Sequence, residues 1–124
     1  MITVLYSGVF HGAPDQIGRV RSEIRQYLDG CPVTDDVVLI ASELATNAIR
    51  HSASNEHFLQ VRCEVFPDYV WVEVQDLGGV WHCRQRDGRP HGLDIVAVLV
   101  GDNWGIETTS DGDRIVCARV EFGG

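Results

Sequence analysis

The stretch Thr34–His51, TDDVVLIASELATNAIRH, decides the fold. Thr34 supplies a capping hydroxyl, and Asp35 and Asp36 place carboxylates at the positive end of a helix dipole. The apolar residues after them cover a broad arc of the helix surface: Val37, Val38, Leu39, Ile40, Ala41, Leu44, Ala45, Ala48 and Ile49. We therefore predict a central helix from Thr34 to about Ser52 that is buried on most sides.

Strand and helix patterns flank this segment on both sides. Alternating or β-branched runs predict strands at 2–10, 57–66, 69–75, 103–108 and 114–122, and helical spacing predicts further helices at 14–28 and 91–100. Residues 77–90 have no regular period, and we predict a loop there. The order β-α-α-β-β-α-β-β predicts an α+β fold, a two-layer α/β sandwich whose mostly antiparallel sheet is covered on one face by three helices.

Length and charge exclude several classes of protein. The chain has 124 residues, which fits one domain over 1–124. Its net charge of −8 disfavours direct binding of nucleic acid, because an acidic surface repels phosphodiesters. All ten basic residues are Arg, and the absence of Lys excludes a P-loop.

The cysteines and the N-terminal region predict where the protein resides. Cys31, Cys63, Cys83 and Cys117 form no C-x-x-C pair, so we interpret them as small buried side chains with reduced thiols. The sequence has no basic leader and no apolar run long enough to span a membrane. We expect a cytoplasmic protein that does not bind membranes.

Polar residues interrupt the apolar central helix at helical spacing. Glu43, Asn47 and the pair Arg50-His51 lie on one side of it. Buried polar groups cost free energy unless they are satisfied, so they need an explanation. A solvated stripe, a hydrogen-bond network in the core, or a functional site would each give this pattern.

Two further segments extend the polar pattern. Asp76 ends a predicted strand and is followed by Leu77-Gly78-Gly79, which leaves room for a ligand to approach the carboxylate. His91-Gly92-Leu93 opens a predicted helix, where free backbone N–H groups can hold an anion. Each segment alone also fits an ordinary turn or helix start.

Taken together, the three segments resemble a known superfamily. The stretches Glu43-Leu-Ala-Thr-Asn47-Ala-Ile-Arg-His51, Asp76-Leu-Gly78 and His91-Gly92-Leu93 are similar to the N, G1 and G2 boxes of the histidine-kinase-like ATPases, and most of all to the anti-sigma-factor serine kinases. The resemblance extends from about Val33 to Phe122. It implies the Bergerat ATP-binding fold, with ATP and Mg²⁺ as cofactors.

The first box of this resemblance implies the catalytic and metal-binding roles. Glu43 matches the general base, which activates a water or a protein hydroxyl. Asn47 matches the side chain that holds the Mg²⁺ bridging the phosphates. Arg50 matches a basic residue that approaches the phosphates, and His51 closes the box by hydrogen bonding and packing.

The other two boxes imply how the nucleotide is held. Asp76 matches the carboxylate that accepts from the adenine amino group, and Gly78 lets the backbone come close. Gly92 and Leu93 match the turn whose N–H groups meet the phosphates.

The sequence departs from the family pattern at three places. Pro90 replaces a glycine and removes one N–H donor. The loop before Gly92 is short, and its arginines either replace missing donors or form a solvated turn. Gly112-Asp113-Arg114 occupies a region where related proteins often place a threonine near the adenine.

The expected function is that of an ATP-binding regulatory protein that phosphorylates a partner on Ser or Thr, or sequesters it. The resemblance implies a regulatory partner, either a sigma factor or an anti-anti-sigma-like protein, and a homodimer is a further expectation. The alternative is a non-catalytic interaction module with a degenerate nucleotide site. An accidental motif match on an unrelated α/β fold is the third interpretation.

Overall fold

The computed structural model describes residues 4–51, 58–76, 93–110 and 113–122. The elements are β1 (Val4–His11), a 3₁₀ turn (Pro14–Gln16), α1 (Ile17–Tyr27), α2 (Thr34–His51), β2 (Phe58–Val65), β3 (Tyr69–Asp76), α3 (Leu93–Val100), β4 (Trp104–Thr108) and β5 (Arg114–Glu121). Their order confirms the predicted one. The predicted loop at 77–90 lies outside the described residues.

The five strands form one sheet in the order β1-β2-β3-β5-β4, and every neighbouring pair is antiparallel. With three α-helices, this confirms the α+β class and is compatible with a two-layer sandwich. The helices α1 and α2 pack against each other, and α2 also packs against β3 and α3.

The central hairpin has one buried face, as its alternation predicts. Val70, Val72 and Val74 of β3 are at most 2% exposed, and they lie opposite Val65, Cys63 and Val61 of β2. The two strands join at a tight turn in which the N–H of Phe66 donates to the carbonyl of Tyr69 at 2.8 Å. This face of the sheet contributes to the core with residues of α1 and α2.

The central helix begins at Thr34 as predicted, but the hydroxyl has a different role from the one expected. It donates to the carbonyl oxygens of Leu28 and Cys31, both at 2.8 Å, and so ties the helix start to the preceding turn. Gly30 has a φ of 83° in that turn, a conformation that glycine adopts without steric strain. The turn therefore fixes where α2 begins.

The predicted burial of α2 holds for most of its apolar residues. Val37, Ile40, Ala41 and Leu44 are fully buried, whereas Leu39 is 39% exposed. The broad apolar arc is thus covered by α1, the sheet and α3 on most sides, and Leu39 marks its open side.

Two of the four cysteines are buried, as expected, and Cys31 is half-buried. Burial raises the pKa of the Cys63 thiol to about 12. Cys83 lies outside the described residues. Within the described part of the chain, no helix is long and apolar enough to cross a membrane.

Candidate functional site

The polar residues of α2 differ in exposure although they share one side of the helix. Asn47 is 1% exposed, Glu43 is half-buried and Arg50 is exposed. One helical turn separates Glu43 from Asn47, so the carboxylate lies next to the buried carboxamide and still reaches the surface. This arrangement suits a pair in which one side chain holds a ligand and the other exchanges a proton with solvent.

Two neighbouring hydroxyl groups of α2 are used inside the helix. Ser42 donates to the carbonyl of Leu39 at 2.8 Å, and Thr46 donates to the carbonyl of Ser42 at 2.7 Å. Such back-bonding is common for hydroxyls within helices and satisfies their donors locally. These residues are therefore weaker candidates for a ligand site than Glu43 and Asn47.

Asp76 is the last residue of β3 and is 2% exposed. It continues the inward-facing row of Val70, Val72 and Val74, so its carboxylate occupies a position where the strand otherwise carries valines. Burying a carboxylate is costly unless the surroundings stabilise it. A buried carboxylate at a strand end is therefore a candidate functional residue.

The direction of α2 indicates that Asn47 lies toward the end of β3 that carries Asp76. The helix starts just after Cys31 and Pro32, which line a cavity with Val65 and Phe122 at the end of the sheet where β3 begins. An 18-residue helix and an eight-residue strand are both about 27 Å long. Because α2 packs on β3, its second half, which carries Asn47, extends toward the end where Asp76 lies.

Arg114 was not assigned a role from the sequence, and the sheet register places it next to a candidate site residue. It lies directly opposite Asp76 in the β3–β5 pairing and is in phase with the buried residues Val116 and Ala118. Directly opposite residues of antiparallel strands share a face, with Cβ atoms about 5 Å apart. The departure noted in the sequence thus places an arginine opposite Asp76 on the same face of the sheet.

Polar contacts hold the sheet together around this pair. Gln75 donates to Asp113 at 3.1 Å, and Arg62 donates to Gln75 at 2.7 Å. The N–H of Asp113 in turn donates to the hydroxyl of Thr109 at 3.1 Å. These bonds connect β2, β3 and the segment before β5, so they fix the position of the strand end that bears Asp76.

The glycine-containing boxes are only partly described. Leu93 is the first residue of α3, and α3 packs against α2 and β5. Gly78 and Gly92 lie outside the described residues, as do Pro90 and the arginines of the predicted loop. The described part of the site therefore consists of the side chains from α2, β3 and β5.

Comparison with known proteins adds no identification. No protein-family model matches the chain, and no curated protein is similar enough to be identified as a relative. The assignment of a function thus depends on the placement of Glu43, Asn47 and Asp76.

Proposed function

We propose that this protein is an ATP-binding regulatory protein with the Bergerat fold of the histidine-kinase-like ATPases. Mg²⁺-ATP occupies the end of the fold where α2 and β3 carry polar side chains. The observation that supports this most is the burial of Asn47 and Asp76 in a largely apolar interior, at the positions that match the N and G1 boxes.

Asp76 reads the base in this proposal. A carboxylate only accepts hydrogen bonds, so it selects a base edge that offers a donor, as the amino group of adenine does. Its burial strengthens the interaction, because water competes less at a site of low dielectric constant. Arg114, opposite in the register, limits the space beside the base and adds positive charge there.

Asn47 and Glu43 serve the phosphates. The Asn47 amide oxygen is a hard ligand of the kind that Mg²⁺ accepts alongside phosphate oxygens and water. Glu43, one turn away and half-buried, takes the proton from the attacking hydroxyl of water or of a protein serine or threonine. Arg50 is exposed on the next turn and balances phosphate charge.

The partner in this proposal is a cytoplasmic regulatory protein, a sigma factor or an anti-anti-sigma-like protein, that is phosphorylated or sequestered. The net charge of −8 is compatible with a basic protein partner and opposes direct contact with nucleic acid. Transfer of radiolabel from γ-labelled ATP to the partner identifies a kinase. ATP binding without transfer identifies the non-catalytic module.

Calorimetric titration with Mg²⁺-ATP tests the nucleotide site. Hydrogen bonds to charged groups contribute about 1.5–3 kcal/mol, so Asp76→Asn is expected to weaken binding roughly ten- to hundredfold. Asp68→Asn is the matched control, because Asp68 lies in the exposed turn before the other end of β3. The proposal fails if the wild-type protein binds no ATP or if Asp76→Asn binds as tightly as Asp68→Asn.

A further inference from the structure

The helix α3 is apolar on every side, although it lies at the surface. After Asp94 its sequence is IVAVLV, without a polar residue, and Val96 is fully buried whereas Val98 is 84% exposed. A helix that is hydrophobic all round is normally covered on all sides. The outer side of α3 therefore needs a cover that the described part of the chain does not supply.

The exposed residues of α3 form a stripe at helical spacing. Ile95, Val98 and Leu99, which we call the α3 stripe, lie at i, i+3 and i+4 and are 42%, 84% and 37% exposed. The edge strand β4 packs against α3 and has a further exposed apolar residue, Ile106, at 40%. A single exposed leucine or valine needs no explanation, but exposed apolar residues grouped in this way mark an interaction site for a protein or a membrane.

The segment that contains the α3 stripe is acidic. Between residues 93 and 113 the sequence has no Lys or Arg and has five acidic residues: Asp94, Asp102, Glu107, Asp111 and Asp113. Asp102 and Glu107 are exposed, and Asp102 follows the end of α3, where the helix dipole adds partial negative charge. A partner that covers the stripe therefore needs positive charge beside its apolar side.

Arginines on the neighbouring elements do not reverse this charge. The strand β5 carries Arg119, which lies 3.7 Å from Glu121, and Arg114, which lies opposite Asp76. The helix α2 carries three acidic residues and one arginine. The surroundings of α3 are thus acidic overall, so they attract a basic segment and repel both a second copy of this chain and a membrane of anionic lipids.

The shape of this surface favours a helix over a strand as the partner segment. Ridges formed by residues at i, i+3 and i+4 pack into the grooves of another helix. A strand would add at the edge of β4, which has five residues and carries Glu107, and short charged edges resist such pairing.

We propose that the α3 stripe binds an amphipathic helix of another protein, whose apolar side is flanked by Lys or Arg. The partner helix buries the exposed apolar side chains of α3, and its basic residues meet the carboxylates around them. The inference goes beyond the proposed function, because the stripe contains no residue of the nucleotide site and the interaction needs no ATP.

Fluorescence anisotropy with two labelled helical peptides tests the proposal in the absence of ATP. The probe peptide carries Leu at i, i+3, i+4 and i+7 with Lys on both flanks of this apolar side, and the control peptide carries Glu in place of every Lys. The protein is expected to bind the Lys peptide at least about tenfold more tightly, because like charges repel the Glu peptide. Equal binding of both peptides, or no binding of the Lys peptide, overturns the proposal.

Val98→Lys tests where the peptide binds. The lost apolar contact and the new positive charge should weaken binding of the Lys peptide about tenfold or more. Leu5→Lys is the matched control, because Leu5 is 60% exposed on β1 and the substitution changes the net charge equally. An equal effect of both variants would show that the peptide responds to net charge alone, against the proposal.

Three further measurements on Val98→Lys test the other occupants of the stripe. Its thermal unfolding should match that of wild type, and a lower Tm would mean that the chain covers its own stripe. Neither protein should sediment with phosphatidylglycerol vesicles, and sedimentation of wild type alone would indicate a lipid site. In sedimentation velocity, a wild-type dimer that Val98→Lys dissociates would indicate a second copy. Each of these contrary results overturns the proposal.

Discussion

The two ends of β3 differ although they belong to one strand and face the same layer of helices. Val70, Val72 and Val74 fill the interior with hydrocarbon, and Asp76 continues the same row with a carboxylate. The turns of α2 change in the same way, from the apolar Val37 and Ile40 to the buried Asn47. The apolar end supplies stability, and the polar end has the features of a ligand site, so substitutions at the two ends have different consequences.

Glu43→Gln is expected to have the largest effect at the polar end. General-base assistance typically contributes about 10²–10⁴ in rate, so ATP hydrolysis should fall by that factor while the fold persists. The measurement is phosphate release from Mg²⁺-ATP, with thermal unfolding as the check on the fold. Glu64→Gln, on the other face of the sheet, is the control. Wild-type turnover in Glu43→Gln would show that Glu43 is not the base.

Leu44→Ala changes the next residue along the helix, and we expect it to lower the free energy of unfolding rather than to act on catalysis directly. Leu44 is fully buried, and truncation of such a leucine typically costs about 2–5 kcal/mol in the free energy of unfolding. Leu39→Ala is the matched control, because Leu39 is 39% exposed on the same helix, and its loss should be much smaller. Chemical denaturation measures both. Equal losses would contradict the placement of the core.

Alkaline pH should lower the free energy of unfolding, because one buried and one half-buried side chain lose their protons and become charged. Burial raises the pKa of Cys63 from 9.0 to about 12 and, with nearby negative charges, that of Tyr27 from 10.0 to about 12. Both groups are neutral when protonated, so their stabilisation is complete below pH 9 and is lost between pH 9 and about 12. Tyr27→Phe removes one of these titrations.

Denaturation curves across this pH window measure the effect. Tyr27→Phe should lose less stability than wild type between pH 10 and 12. An identical pH dependence of the two proteins would show that Tyr27 does not contribute.

The smallest effect is expected for the ion pair before α2. Arg25 donates to Asp35 at 2.7 Å, but their side chains are 56% and 88% exposed. Exposed pairs typically contribute less than about 1 kcal/mol, and salt weakens them further. Arg25→Ala should therefore change the free energy of unfolding by less than Leu39→Ala does. A loss larger than that of Leu39→Ala would show that this exposed pair contributes more to stability than its exposure predicts.

The sequence predicted the order of the elements well because each has a clear period and a clear stop. The hairpin of β2 and β3 alternates strictly, and α2 carries a long apolar arc. The first helix was less predictable: Pro14 begins a 3₁₀ turn, and the α-helix starts at Ile17. Proline fixes a dihedral angle that suits both kinds of turn, so local sequence does not separate them.

Tertiary contacts decided the remaining differences. The hydroxyl of Thr34 has both donor and acceptor capacity, and the carbonyls of Leu28 and Cys31 come near it only once the α1–α2 turn has formed. Leu39 belongs to the apolar arc by its period, and only the packing of α1, α3 and the sheet shows that its side is open. Arg114 gains its place opposite Asp76 from a pairing between strands that are distant in sequence. The roles of all the site residues stay predictions, namely those of Glu43, Asn47, Arg50, Asp76, Gly78, Gly92 and Leu93.

NMR titration with a non-hydrolysable ATP analogue, with and without Mg²⁺, tests the central claim most directly. The account predicts that the side-chain amide of Asn47 and the backbone amide of Gly92 shift together at saturation, and that the Asn47 shift requires Mg²⁺. Resonances of Asn47 that stay unchanged at every concentration of Mg²⁺ and nucleotide would contradict it.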